Sequence, residues 1–167
     1  MIVREIQNEK NNIIIILLLF LGIVGVWAGN LPREKYSTPI HETKIDSVTI
    51  YYYNENIAKK ITSETDISVV VDALNGLSLG ETYEIDENLY DMLEIGGLSF
   101  CFIFYLEDGT EWICTYYQTN SDGEGRFADG QIRRKVSNLK VLELWQSLSY
   151  PEIKDFSIEE FTVPVLF

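Results

Sequence analysis

The stretch LSFCFIFYLEDGTEWICTYYQ, residues 98–118, decides the fold of this chain. Two runs rich in β-branched and aromatic residues, Leu98–Leu106 and Glu111–Gln118, flank the tetrapeptide at 107–110. Its Asp-Gly pair is the strongest short-range hairpin signal in the sequence. Because the first run is apolar on both of its faces, both faces need cover. The stretch therefore predicts the central hairpin of a sheet that is layered or packs on another surface.

The two cysteines of the chain, Cys101 and Cys114, lie one in each predicted strand, so the loop length decides whether they can bridge. A two-residue loop pairs Ile103 with Cys114 and leaves Cys101 one diagonal step away, too far for an easy disulfide. A four-residue loop with Gly109 left-handed places the cysteines directly opposite each other. A three-residue loop with a bulge places them on opposite faces. Buried free thiols are the default prediction, and the bridge stays an open alternative.

The chain before this hairpin predicts a second hairpin and an amphipathic helix. A β-branched and aromatic run at 44–53 leads through a polar turn at 54–56 into a short strand, Ile57–Ile61. Ser63 and Asp66 then have the spacing of a capping box. Apolar residues follow at helical spacing until Gly76, namely Ile67, Val70, Val71 and Leu74.

The chain after the central hairpin predicts one more strand and one more helix. The strand lies within 127–136, behind a polar turn at 122–125. The helix begins behind Ser137 or Asn138 and ends at Pro151, with apolar residues at Val141, Leu144, Trp145 and Leu148. Together these patterns predict an α+β domain, an antiparallel sheet with two helices.

An uncharged apolar run from Ile13 to Ala28 precedes the domain. As a helix it spans roughly 24 Å, somewhat less than the hydrocarbon core of about 30 Å. An uncleaved transmembrane anchor is the favoured interpretation, with Trp27 at the outer interface. A signal peptide cleaved after Ala28 is the alternative, and a buried core helix is disfavoured because the run has no polar position. Both leading interpretations export the rest of the chain.

These segments give a prediction for the organisation of the whole chain. The residues between the apolar run and the first strand contain two prolines and no periodicity, which is typical of a stalk. The apolar end of the chain favours packing as an added edge strand over binding a partner. The predicted parts are a cytoplasmic head at 1–12, a transmembrane or signal segment at 13–28, a stalk at 29–43 that holds His41, an extracytoplasmic domain at 44–150 and a packed tail at 151–167.

The charge of the chain is strongly one-sided. The net charge is −13, and between Lys60 and Arg126 there are fourteen acidic residues and no Lys or Arg. Nucleic acid and anionic lipid are thereby disfavoured as partners of the domain, since both require a basic surface. A solvated acidic surface is the favoured interpretation. The alternative is a face that binds a cation or a basic protein or peptide, formed by Glu81, Glu84, Asp86, Glu87, Asp91 and Glu94.

The first positions of one polar turn resemble those of a calcium-binding loop. Asn120, Asp122 and Glu124 present oxygen-bearing side chains at alternate positions, as EF-hand loops do. The twelfth position is Gln131 where a bidentate carboxylate is needed, and Arg126 lies inside the loop. A plain turn between strands is therefore favoured over weak calcium binding, and no cofactor is predicted.

Catalytic motifs are missing from the sequence. The single histidine lies in the predicted stalk, no His and Cys residues have zinc spacing, and no glycine-rich phosphate loop is present. The sequence therefore favours a non-catalytic, membrane-tethered binding or accessory module. The alternatives are a secreted acidic inhibitor or immunity-like protein, released by cleavage after Ala28, and a hydrolase that uses a pair of carboxylates.

The stretch VTIYYYNENIAKKITSETDISVVVDALNGL, followed by an aromatic hairpin with an Asp-Gly turn, resembles small extracytoplasmic domains of Gram-positive bacteria. In those domains a hairpin leads through an I-T-x-x-x-D-I helix start into further strands. The resemblance covers 44–117 and implies an exported α+β domain with no assigned activity. It supplies no site residues. No cysteine follows the apolar run, so this chain departs from the members that have a lipoprotein anchor.

Overall fold

In a computed structural model of the protein, the structure describes residues 33–40, 44–83, 97–118, 124–137 and 139–158. The chain divides into two units, Met1–Arg33 and Glu34–Phe167, and the second contains the folded domain. The predicted segment from Ile13 to Ala28 lies outside the described residues. Among the residues that are described, no helix has the length and apolar character needed to span a membrane.

In its described residues the domain consists of an eight-stranded antiparallel sheet and two helices, which confirms the predicted α+β class. The strand order across the sheet is β3-β7-β6-β5-β4-β1-β2-β8. The helices are α1 (Glu64–Asn75) and α2 (Val141–Ser147). The strands are β1 (Ile45–Tyr52), β2 (Ile57–Ile61), β3 (Ser78–Thr82), β4 (Leu98–Leu106), β5 (Glu111–Gln118), β6 (Gly125–Ala128), β7 (Arg133–Ser137) and β8 (Glu152–Lys154).

The β4–β5 hairpin lies in the middle of the sheet and has the register of the three-residue loop. Tyr105 pairs with Glu111, and the amide of Leu106 donates to the carbonyl of Thr110 at 2.9 Å. Gly109 has a φ of 83°, the left-handed conformation that closes such a loop with a bulge. The bulge shifts the pairing by one residue relative to a two-residue turn.

This register places the two cysteines on opposite faces of the sheet. Cys101 pairs with Thr115, whereas Cys114 pairs with Phe102. Both thiols are free and fully buried. Burial raises the pKa of each thiol well above its ordinary value, so both remain protonated and unreactive at neutral pH.

We expect the cysteines to be alkylated only after the protein unfolds. Iodoacetamide should leave the native chain unmodified, because both thiols are buried and stay protonated. After denaturation without reductant, both thiols should react, and intact mass spectrometry counts the added groups. A denatured, unreduced chain that takes up no alkyl group would instead contain a disulfide.

The helices cover one face of the sheet, which we call the helix face. Its core includes Phe100, Phe102 and Phe104 of β4 together with Tyr116 and Phe127 of the neighbouring strands, all fully buried. Helix α1 contributes Val70 and Leu74 and helix α2 contributes Trp145 to the same cluster. The Tyr52 ring stacks on Phe100 with 4.5 Å between centroids. The aromatic residues of β1 and β4 therefore form much of this core.

The opposite face of the sheet, which we call the tail face, has a smaller core. Tyr51, Ala58, Cys101 and Ile103 form it, and Phe156 and Ile158 pack against it from beyond β8. Strand β8 pairs with β2 at one edge of the sheet, with Ala58 opposite Ile153. The remaining tail, residues 159–167, lies outside the described part of the chain. Strand β4 is thus buried on both faces, as its sequence predicts.

Helix α1 begins where the sequence predicts, but its capping box does not form. Ser63 occupies the N-cap with an extended backbone and makes no side-chain capping bond. The hydroxyl of Tyr150 replaces it, because it accepts a bond from the Ser63 amide at 3.2 Å and donates to Asp66 Oδ2 at 2.8 Å. The start of α1 is therefore fixed by a residue that follows α2.

The predicted stalk at 29–43 differs from the structure over residues 34–40, which pack on the domain. The Tyr36 amide donates to the Leu77 carbonyl at 2.9 Å, and the Leu79 amide donates to the Glu34 carbonyl at 2.7 Å. Tyr36, Thr38 and Ile40 are buried at alternate positions. This segment therefore covers the outer edge of β3, and His41 lies just outside the described residues.

The single strand predicted within 127–136 is two strands in the structure. β6 ends at Ala128, and β7 begins at Arg133 after a turn in which Gly130 has a φ of 88°. Asp129 Oδ1 accepts bonds from the amides of Gln131 and Ile132 and so closes the turn. Strand β7 pairs with β3, which the sequence pattern does not predict.

Gly125 of β6 is a position where any side chain collides with backbone. A Cβ built there would lie 2.2 Å from the carbonyl oxygen of Tyr117. We expect Gly125→Ala to destabilise the domain by about 3 kcal/mol, since the sheet itself must move. Gly109→Ala, which has open space but a left-handed backbone, should cost about 1 kcal/mol. Chemical denaturation compares them, and a smaller loss for Gly125→Ala than for Gly109→Ala would contradict the packing argument.

Candidate functional site

Three cationic side chains occupy the tail face at the β6–β7 end of the sheet. Arg126 of β6 lies directly opposite Lys135 of β7, and Arg133 lies two residues before Lys135, opposite Ala128. Because alternate strand residues share a face, all three project to the same side. We call Arg126, Arg133 and Lys135 the basic strip. Arg133 and Lys135 are exposed, and Arg126 is half-buried.

The charges of the basic strip are only partly balanced. Lys135 Nζ lies 3.1 Å from Glu81 Oε2, in an ion pair whose two side chains are 59% and 82% exposed. Among the described residues, neither Arg126 nor Arg133 takes part in an ion pair. Like charges placed directly opposite each other destabilise a sheet. The strip is therefore a local concentration of positive charge that the described residues leave largely uncompensated.

Arg134 lies between Arg133 and Lys135 on β7 but on the opposite face of the sheet. Its Nε donates to the Gly80 carbonyl at 2.6 Å, and its Nη2 lies 3.5 Å from Glu34 Oε2. Arg134 pairs with Phe127, on the face opposite the strip. It therefore ties β7 to β3 and to the segment at 34–40, while its two neighbours remain on the tail face.

Tyr83 lies beside the basic strip, directly after β3. The Arg126 guanidinium lies 5.3 Å from the centre of the Tyr83 ring, and the Tyr83 amide donates to the Arg133 carbonyl at 3.4 Å. The side chain is only 8% exposed, and its hydroxyl makes no hydrogen bond within the described part of the chain. Burial raises the pKa of this hydroxyl, and the nearby Arg126 and Arg133 only partly offset it. At neutral pH the hydroxyl is thus a buried donor that has no acceptor among the described residues.

The residues predicted as an acidic binding face are described only in part. Glu81 lies on β3, where Lys135 of the same domain engages it. The other members of that face lie outside the described residues, namely Glu84, Asp86, Glu87, Asp91 and Glu94. The structure therefore brings Glu81 to the basic strip and leaves the rest of the predicted face untested.

The predicted calcium loop is also largely outside the described residues. Asn120 and Asp122 are not described, and Glu124 is exposed immediately before β6. Across the described ranges, no group of three or more His, Cys, Asp or Glu is placed to hold a metal ion. Weak calcium binding at this loop stays a prediction from the sequence.

Two buried polar groups of the helix face have clear structural partners. Tyr36 donates its hydroxyl to Asp129 Oδ2 at 2.5 Å, while Oδ1 of the same carboxylate holds the β6–β7 turn. Lys59, only 7% exposed, donates to the carbonyls of Trp145 and Leu148, both at 2.9 Å. Its ammonium also lies 4.4 Å from the centre of the Trp145 ring. Lys59 therefore caps the C-terminus of α2.

We expect Lys59→Met to destabilise the domain by about 2–4 kcal/mol, because two buried carbonyls lose their donor. Lys60→Met is the matched control, since Lys60 is the exposed neighbour on the other face of β2 and should change stability by less than about 0.5 kcal/mol. Urea denaturation measures both variants. Equal stability of the two variants would show that the cap contributes nothing.

Comparison with known proteins found no matching protein family, no similar curated protein and no similar solved structure. The basic strip with Tyr83 is the strongest candidate, since it combines exposed charge with a buried hydroxyl for which the described part of the chain offers no acceptor. In the sequence, the basic strip is signalled by the basic tripeptide at 133–135. The sequence pattern does not predict the turn at 129–132, and only this turn brings the tripeptide next to β6.

Proposed function

We propose that this chain is a non-catalytic binding module tethered to the outer face of a membrane. The support for the tether is the apolar run from Ile13 to Ala28, whose length and lack of charge suit a single span with the head at 1–12 inside the cell. The short head and the large following domain favour this orientation. The resemblance of 44–117 to extracytoplasmic domains of Gram-positive bacteria supports the same location.

The observation that supports binding as the activity is the basic strip. Three cationic side chains on one face of a hairpin are a local exception on a chain with a net charge of −13, and Arg126 lies against the buried Tyr83 ring. In contrast, the buried polar groups Lys59, Tyr36 and Asp129 already have structural partners. The binding surface is therefore assigned to the tail face near β6 and β7, in preference to Glu81, which Lys135 already engages.

Release by cleavage after Ala28 is the alternative for the location of the domain. It would produce a freely diffusing acidic protein with the same fold and the same binding surface. The two versions differ only in whether residues 1–28 remain attached to the mature chain.

We expect the full-length chain, produced in a Gram-positive bacterium, to be recovered in the membrane fraction with residues 1–28 intact by mass spectrometry. The double substitution Leu18→Lys, Leu19→Lys should remove it from that fraction, because two charges at the centre of the span are costly. Val69→Lys is the control, since Val69 is an exposed apolar residue of α1. A mature chain that begins at Gly29 and is found in the medium would contradict the tether and support release.

A further inference from the structure

We propose that residues 159–167, which we call the distal segment, cross the tail face and cover it at β5 and β6, with Phe161 packed over Ala128. The inference goes beyond the proposed function and does not rest on it, since both surfaces belong to the same chain. Its supporting observations are a buried row of residues across the tail face, the place where Phe156 and Ile158 enter that face, and the composition of the distal segment.

One row of paired residues crosses seven strands of the sheet on the tail face. Each member pairs directly with the next, in the order Ile153, Ala58, Tyr51, Cys101, Thr115, Ala128 and Arg133. The two ends of the row are exposed, whereas the five residues between them are at most 6% exposed. A layer of atoms therefore covers the row from β2 to β6, and the outer part of the basic strip lies beyond it.

The cover that the described residues supply lies at the β1 and β4 end of this row. Phe156 and Ile158 pack on the tail-face core there. Ala128 of β6 is fully buried, but it belongs to neither of the two cores that the described residues form. The side chain of an alanine ends at Cβ, so its full burial on a sheet face requires other atoms directly above it. Further chain must therefore lie over β6.

The distal segment starts within reach of this position. Phe156 lies over β1, where its ring centre is 5.7 Å from that of Tyr51, and Ile158 packs on the same core. Strand β6 is three strands away from β1, which is roughly 14 Å at the usual strand spacing. Five residues of extended chain span about 16 Å. A chain that continues from Phe156 across the strands therefore brings Phe161 above β6.

The backbone directs the chain onto the face and away from the edge of the sheet. Strand β8 occupies the edge beside β2 with only three residues. Asp155 follows it with a φ of 55°, a left-handed conformation that turns the chain sharply. Phe156 and Ile158 then lie on the tail face. The distal segment is therefore a cover for this face, in contrast to the added edge strand that the sequence predicts for the whole tail.

The composition of the distal segment suits the surface beneath it. It begins with Glu159 and Glu160, which by the same spacing reach β6 beside the half-buried Arg126. Arg126 lies two residues before Ala128 and shares its face, so opposite charges meet there. The ring of Phe161 is large enough to fill the space above short side chains such as that of Ala128.

The test places a thiol under the proposed cover, in the full-length chain in a non-ionic detergent. Ala128→Cys introduces the thiol, and alkylation by iodoacetamide under native conditions is followed by intact mass and peptide mapping. We expect the introduced thiol to stay unmodified. Adding Phe161→Asp should speed its alkylation roughly tenfold or more, because a charged side chain does not stay packed on an apolar face. Ser157→Asp is the matched control, since Ser157 is exposed in the preceding stretch and should leave the rate unchanged.

Cys114 shows whether each variant remains folded, because it is fully buried on the helix face. Alkylation of the introduced thiol in Phe161→Asp, with Cys114 still protected, supports the proposal. An introduced thiol that stays protected in Phe161→Asp, or that reacts without this substitution, would overturn it. Exposure by Leu89→Asp in place of Phe161→Asp would assign the cover to the segment at 84–96 and overturn it as well. So would exposure on dilution, which would assign the cover to a second copy of the chain.

A second measurement decides the case in which Phe161→Asp unfolds the domain. Phe161→Ala, in the chain without the introduced thiol, should lower the melting temperature by roughly 5 °C or more, since a large side chain is lost from a packed position. Val69→Ala is the control, because Val69 is an exposed apolar residue of α1 and its loss should shift the melting temperature by less than about 2 °C. Equal melting temperatures for Phe161→Ala and the unsubstituted chain would overturn the proposal.

Discussion

Burial of β4 on both faces is the constraint on which the rest of this domain depends. The five fully buried residues at 100–104 alternate between two separate cores, with the phenylalanines under the helices and Cys101 and Ile103 under the tail. A strand of this kind is stable only where both layers are present. The helices α1 and α2 supply the first layer. The chain beyond β8 contributes Phe156 and Ile158 to the second, so the short edge strand β8 also brings cover to the centre of the sheet.

Local patterns predicted the elements whose signals lie within a few residues. Ile57–Ile61 and the helix from Glu64 to Asn75 lie where the sequence places them, because turn residues and apolar periodicity mark both ends. The loop of the central hairpin was less determined, since an Asp-Gly pair fits two-, three- and four-residue loops. Only the observed register, with Gly109 left-handed, decides which faces Cys101 and Cys114 occupy.

The parts that the sequence did not reveal depend on non-local pairing. Residues 34–40 contain proline and polar residues, as linkers do, yet Tyr36, Thr38 and Ile40 alternate inward once β3 provides a partner. The basic strip was not predicted for the same reason, because it also depends on non-local strand pairing. Arg126 and Lys135 become neighbours only when the turn at Asp129 folds β7 back on β6, and Tyr83 joins them only because β3 pairs with β7.

The bond between Tyr36 and Asp129 has a mechanical consequence. Tension applied to the chain on the N-terminal side of Glu34 enters the domain along the outer edge of β3, where two backbone hydrogen bonds and the Tyr36 hydroxyl bear the first load. Asp129 receives that hydroxyl with one oxygen and holds the β6–β7 turn with the other. A pulling force on the segment at 34–40 would thus be transmitted through Asp129 to the hairpin that bears the basic strip.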